Sequence, residues 1–296
     1  MDALDTYHHP SGRFSMAGAL LALASGLAAG VVFGGVYAYV DVYVPVVGEF
    51  SFLLAAALGG GTGVVTGKAL KAGLVRNRMV AGAIAALTAA GTLYATWVVY
   101  LFALLHQIGL RPRPRALGLH PAVVWHALRT LDVSGAWRME DSTPTGAVLW
   151  AIWLGEAAIV CGLLVFVALK SWGAAPFCEA CGSWCAERKG VGTFALGDKL
   201  DLVPKLEAKD LSALERLGPA TTSPFLRVDL HGCPKCRQTN TLTLERVSVA
   251  RQANGKTQVA TRRWANRLLL TPSEAEQVPQ IAARVATKAQ AATSSG

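Results

Sequence analysis

The chain has 296 residues, of which 52% are hydrophobic and only 16% charged, and its formal net charge is +9. A soluble domain of this length carries charge on roughly a quarter of its residues, so the composition excludes a wholly water-soluble globule. The charge is also segregated: residues 1–169 hold ten Lys or Arg, whereas the chain from Lys170 onward holds eighteen, against eleven Asp or Glu. Two domains with a boundary near Lys170 follow, the first compatible with lipid and the second with water.

After a short segment, residues 1–13, four stretches are apolar over the roughly 20 residues that a helix needs to cross a bilayer. They span about 14–40, 46–67, 79–105 and 146–169, which gives an all-α four-helix membrane bundle. Pro45 stands where a helix likes to begin. The first stretch is too long for the apolar region of a cleavable signal, and Asp2 and Asp5 precede it rather than a basic cluster. Lys and Arg in short loops set orientation. The first link, Asp41 to Pro45, has none, and the second has Lys68, Lys71, Arg76 and Arg78. This predicts a multi-pass protein of the plasma (inner) membrane with both termini in the cytoplasm. The third link, 106–145, then lies outside in spite of Arg111, Arg113, Arg115, Arg129 and Arg138. Within it the Arg-Pro alternation at 111–115 is extended. Pro121 opens an amphipathic helix with Val124, Leu128 and Leu131 on one face, suited to the membrane interface.

Gly26, Gly30 and Gly34 recur at four-residue spacing, as do Gly59, Gly63 and Gly67. Each set forms a smooth helix face that admits another backbone. Tight packing of helices one and two against each other is the expectation, with a homo-oligomer or a pore lined by these faces as the alternative. A phosphate loop at Gly67-Lys68 is excluded, because Thr62 and Ala69 stand where Gly and Ser or Thr are required. Glu49 lies one turn into helix two and reaches headgroups. Glu156 lies deep in helix four, where a carboxylate is costly and faces protein or water. Thr92, Thr96 or Tyr94 on the antiparallel third helix are the expected hydrogen-bond partners. The arrangement is then a polar clasp or, alternatively, part of a proton or cation relay.

Cys161 sits within the fourth span and reads as an apolar packing residue. The remaining cysteines follow it: Cys178, Cys181 and Cys185, then Cys233 and Cys236. Two Cys-x-x-Cys turns are what a tetrahedral thiolate site needs, since two intervening residues let each turn aim both sulfurs at one ion. A redox pair of the thioredoxin kind needs one such pair, and disulfides would leave one of five cysteines over. Structural zinc on Cys178, Cys181, Cys233 and Cys236 is therefore expected, with Cys185 and His231 as substitute ligands. Such a closed site supports folding rather than catalysis.

Around these turns, Phe225–Leu230, Thr241–Val249 and Lys256–Arg262 alternate like strands, with Asn254-Gly255 as a hairpin turn. Glu207–Leu217 has helical spacing, Glu274–Val285 reads as a helix after Thr271-Pro272-Ser273, and 286–296 reads as a disordered tail. The soluble domain, 171–285, is thus a small α+β, zinc-ribbon-like unit. The sequence Pro176-Phe-Cys-x-x-Cys-x-x-Trp184, the knuckle Leu230-His-x-Cys-x-x-Cys236, and Gly135-Ala-Trp137 with Gly146 to Trp153-x-x-Glu156 resemble bacterial inner-membrane proteins that carry a C-terminal zinc ribbon and have no assigned activity. The resemblance implies an architecture and no reaction.

No Gly-x-Ser-x-Gly, His-Glu-x-x-His or paired acids occur in the soluble part, so no catalytic set is read. The sequence favours a membrane-anchored interaction or regulatory protein whose zinc domain docks a cytoplasmic protein. One alternative is a small transporter or channel subunit using the glycine faces and Glu156. Another is a membrane enzyme with dispersed residues such as His120, His126 and Glu140. Nucleic acid is not an expected partner, because no RNP motif, helix-turn-helix or aromatic-interleaved basic stripe is present.

Overall fold

A computed structural model of the chain describes residues 6–44, 49–110, 114–136, 143–173, 175–220, 222–251 and 255–294. The expectations for Asp2, Asp5, Pro45, Arg111, Arg113, Trp137, Arg138, Glu140 and Asn254 lie outside these residues, as do those for the side chains of Glu49 and Arg115. The chain divides into two compact units, one of Ser11–Ala174 and one of residues 1–10 together with Ala175–Gly296.

The first unit is helical. Its long elements are α1 (Met16–Tyr43), α2 (Glu49–Ala72), α3 (Arg78–Gln107) and α6 (Gly146–Trp172), and all four are long and apolar enough to cross a membrane. Ser15 caps α1 by accepting from the N–H of Gly18, and Asn77 caps α3 by accepting from Met79 and Val80. Every one of these helices runs a few residues past its predicted end. The extension of α1 matters most, because it turns Asp41 from a loop residue into a helix residue. Two shorter helices, α4 (Pro114–Leu119) and α5 (Pro121–Ser134), occupy the third link, and α5 buries Val124 and Leu128 as its pattern predicted.

The glycine faces correct the predicted pairing. The face of α1 meets α3: a Cβ on Gly30 would stand 2.1 Å from Thr92 Oγ1, and one on Gly34 would stand 2.3 Å from Thr96 Oγ1. The face of α2 meets α6: a Cβ on Gly59 would lie 2.6 Å from the Val160 carbonyl oxygen, one on Gly63 would lie 2.8 Å from that of Leu164, and one on Gly67 would lie 2.7 Å from that of Ala168. Gly26 approaches Thr66 and Thr88 together. Both faces are consumed inside the bundle. Helix α1 packs on α3 and α2, and α6 packs on α2 and α3, which closes a four-helix ring. Thr62, Thr66, Thr88 and Thr92 are buried within it, each at most 1% exposed.

The second unit is a four-stranded antiparallel sheet, in the order β3 (Ala186–Ala195), β4 (Phe225–Gly232), β5 (Asn240–Arg251) and β6 (Thr257–Leu270). The helices α7 (Lys199–Glu207), α8 (Ser212–Glu215) and α9 (Pro272–Ser294) supply the other half of its core. Phe194, Leu206, Leu214, Leu226, Leu244, Leu268 and Val278 are fully buried there. The helix predicted over 207–217 is broken: Lys209 adopts φ +67, which ends α7, and Asp210 accepts from Ser212 to open the short α8. The tail from 286 is helical as far as Ser294, because α9 continues beyond Val285. Thr271 and Glu274 form a reciprocal cap at its start, at 2.8 and 3.3 Å.

The segment ahead of α1 belongs to this sheet rather than standing alone. The N–H of His8 donates to the Arg267 carbonyl, that of Leu269 donates to Thr6, both at 2.9 Å, and Tyr7 bridges Leu268. The Tyr7 hydroxyl donates to Glu207 Oε1 at 2.5 Å. Burial, and next its bond to Glu207, push the Tyr7 phenol up to about 12 from 10.0. A raised pKa stabilises the fold below the unfolded value and ceases to do so above the folded one. The stability difference between the parent chain and Tyr7→Phe is therefore expected to be constant below pH 10 and to vanish as the pH passes 12. Unfolding of the second unit monitored across that range measures it.

Candidate functional site

The cysteine site is built from two turns of matching form. In the first, β1 (Phe177–Cys178) pairs with β2 (Ser183–Trp184), Phe177 opposite Trp184 and Cys178 opposite Ser183. The turn closes through Gly182 at φ +59, directly after Cys181. Phe177 and Trp184 meet edge to face at 5.1 Å and brace the turn from behind. The second turn links β4 to β5: the N–H of Cys233 donates to Thr239 at 2.9 Å and that of Arg237 donates to Cys233 at 3.2 Å. Arg237 follows Cys236 at φ +56, the same left-handed position that Gly182 holds in the first turn. The repeated conformation aims both sulfurs of each turn inward.

The result brings together Cys178, Cys181, Cys233 and Cys236, with all four sulfurs within 4.8 Å of one another. The Cys178 and Cys236 sulfurs are 3.6 Å apart. Tetrahedral binding with metal–sulfur bonds of about 2.3 Å requires sulfur separations of about 3.8 Å, so a metal ion fits this set with small adjustments. Cys178 and Cys233 are buried, and all six cysteines are free thiols. Burial works against a thiolate at Cys233, but the N–H groups of Cys236 and Lys235 with the Ser183 hydroxyl outweigh it and bring that thiol down to about 6. Cys181 is pushed up to about 12, chiefly by its hydrogen bond with Cys236 and next by burial. One thiolate, Cys233, thus forms readily while Cys181 holds its proton, which a bound dication would release.

The two substitute ligands stay outside the cluster. Cys185 packs against it but directs its sulfur at the Thr239 carbonyl, 3.8 Å away. Burial, then the charges of Cys233, Cys178 and Cys236, push it up to about 12, so it remains a thiol. His231 lies within β4, opposite Glu187 of β3, and its Nε2 is 3.7 Å from the Glu187 carboxylate.

Glu156 is placed differently from expectation. It accepts hydrogen bonds from Tyr37 of α1 and Ser51 of α2 rather than from Thr92 or Tyr94. Thr92 abuts Gly30 instead, the Thr96 hydroxyl donates to the Thr92 carbonyl at 2.8 Å, and Tyr94 donates to the Gly118 carbonyl at 3.0 Å. Thr96 still lines the same cavity as Glu156, together with Asp41 and Tyr100. The acidic partner Asp41 was missed because it was assigned to a loop. A legible signal existed for Tyr100, which extends the Thr88, Thr92, Thr96 series by one further four-residue step. No family model, curated protein or solved structure matches the chain.

Proposed function

We propose that the chain is a membrane-anchored docking protein: the helical unit crosses the bilayer, and a structural zinc ion on Cys178, Cys181, Cys233 and Cys236 fixes a ribbon-like domain that binds an acidic protein surface in the cytoplasm. Zinc suits a closed set of four thiolates, and its role here is to hold the two turns together. Residues 173–176 join α6 to β1 directly, so the domain is tethered at the end of an apolar helix. The pairing of Thr6 and His8 with β6 supports an even number of crossings with both flanks on one side. The Lys and Arg residues of 68–78 favour the cytoplasm for that side.

The observation that carries the docking reading is the outer half of the β5–β6 hairpin. Strand β4 covers β5 only as far as Val247, so Ser248–Arg251 and the residues that pair with them, Thr257–Ala260, have no further strand beside them. This arm is exposed, Val249 and Val259 included. Between Arg246 and Arg267 the chain has no Asp or Glu, but it carries Arg251, Lys256, Arg262 and Arg263. Arg246 stands directly opposite Arg262 in the register, and the Arg246 Nε is buried without a hydrogen bond among the described residues. Like charges facing across a strand pair destabilise a sheet, so an acidic surface would offset the Arg246–Arg262 opposition, while Arg263 is already paired with Glu245 at 3.0 Å.

The chain in nanodiscs of neutral lipid, exposed to extract of its own cells, is expected to retain a protein at low salt. Arg251→Glu with Arg262→Glu is expected to weaken that retention about tenfold or more, and nuclease is expected to leave it unchanged. Retention that survives charge reversal, or that disappears with nuclease, would overturn the docking reading.

A further inference from the structure

The bundle holds a second polar centre that the docking reading leaves unused. Asp41 at the end of α1 and Glu156 in the middle of α6 face one cavity of ≈ 50 Å³. A single water needs about 10–15 Å³ by the same measure, so the space admits a group of several heavy atoms. The other walls carry four aromatic side chains, Tyr37, Trp97, Tyr100 and Trp153, beside Thr96 and the aliphatic Leu58, Leu93, Ala157 and Val160. Trp97 meets Trp153 edge to face at 5.0 Å and Tyr100 at 5.6 Å, which fixes the rings as a frame. Among the described residues no Lys, Arg or His lines the cavity. Tyr100 is 6% exposed, and it lines the cavity together with both carboxylates.

Two carboxylates in mutual range within apolar surroundings cannot both stay ionised without a positive charge between or beside them. The described residues provide none here, so the charge is taken to come from outside, as a proton or as a cation. The walls decide which cation. A metal ion seeks a shell of oxygens, as calcium and magnesium do, whereas aromatic faces attract an organic cation, and most strongly when it is desolvated.

We propose that this cavity is a binding site for a small organic ammonium ion, seated between the Asp41 and Glu156 carboxylates inside the Tyr37, Trp97, Tyr100 and Trp153 frame, and exchanging there with a proton. On entry the ammonium displaces the proton that one carboxyl group carried, and that proton leaves to solvent, so the charge of the site is conserved. The titratable groups facing the exchange are Tyr37 and Asp41 from α1, Tyr100 from α3 and Glu156 from α6. The proposal rests on placing the bundle in the membrane and is independent of the metal domain. A chain that leaves the membrane without detergent would remove that placement before any binding is measured.

The test uses the purified full chain in detergent, titrated with ethylammonium chloride in weak buffer and compared with sodium and potassium chloride at equal ionic strength. Indole fluorescence reports Trp97 and Trp153, and a pH electrode reports the proton. We expect a saturable fluorescence change with release of about one proton per chain, absent with sodium or potassium. Saturation is expected to be lost in Glu156→Gln and in Asp41→Asn. Tyr100→Phe is expected to bind more weakly while eluting as the parent does. If Glu156→Gln does not assemble, Asp41→Asn decides. A response shared by sodium, binding without proton release, or saturation retained in either acid variant that assembles would overturn the proposal.

Discussion

The Cys233→Ser chain is expected to emerge from purification with no bound metal and with its second unit unfolded, whereas Cys185→Ser retains one zinc per chain and the parent fold. The physical basis is the division of labour among five thiols that lie close together. Cys233 belongs to the four sulfurs within 4.8 Å and is the one whose ionisation its own turn promotes. Cys185 touches the cluster but points at Thr239. A structural zinc site of this kind contributes about 10–16 kcal/mol near neutral pH, more than the entire stability of a typical domain, about 5–15 kcal/mol. Losing it cannot be absorbed by the hydrophobic core. Metal analysis of the two variants, with limited proteolysis of the second unit, reads the difference. Metal loss in both variants would mean that Cys185 is a ligand. Parent-like proteolysis of metal-free Cys233→Ser would mean that the sheet and its helices stand without the ion.

The second large effect concerns two glycines three residues apart on α2. A Cβ at Gly63 would press to 2.8 Å from the Leu164 carbonyl oxygen and 3.1 Å from the Leu164 Cα, both backbone atoms of α6. A Cβ at Gly60 meets nothing within 4 Å. Gly63→Ala is expected to force α2 and α6 apart at a cost of about 1–3 kcal/mol. Gly60→Ala is expected to gain up to about 1 kcal/mol, since Ala is the better helix former. Reversible unfolding in detergent compares the two. Equal stabilities would mean that the α2–α6 contact is looser than the close backbone approach described above.

How much of this was legible depends on the range of the interactions involved. The four long helices show in composition because each is a continuous apolar run long enough to cross a membrane. The cysteine turns show because ligand spacing within a turn is local. What escaped was non-local. Which helix each glycine face meets is a matter of bundle topology, and nothing in Gly26-x-x-x-Gly30 distinguishes α3 from α2 as its partner. Strand β3 was not foreseen because Ala186–Ala195 contains two glycines and three adjacent charged residues, a poor strand by propensity. It is completed by pairing along β4 and by Asp229, which accepts from the N–H of Gly190 at 2.7 Å where the backbone turns to φ +62. Helix α7 was likewise missed: Pro204 lies inside it, and its stability comes from Leu202 and Leu206 buried in the core of the sheet. Asp41 joined Glu156 only because α1 extends one turn further than its apolar stretch. The candidate ammonium site therefore lay in the sequence as four-residue steps on separate helices, with no motif to announce it.

The pairing of Thr6–His8 with β6 also bears on how the chain is made. These residues leave the ribosome before any apolar helix does, yet the strand they join is synthesised after the last one, and Tyr7 meets a partner 200 residues away in Glu207. The outer edge of β6 stays uncapped until the segment ahead of α1 returns to it, and such an edge invites pairing with other chains. Closing it is a late step in biogenesis, and a bulky fusion placed just ahead of Thr6 would obstruct that step while leaving every helix intact.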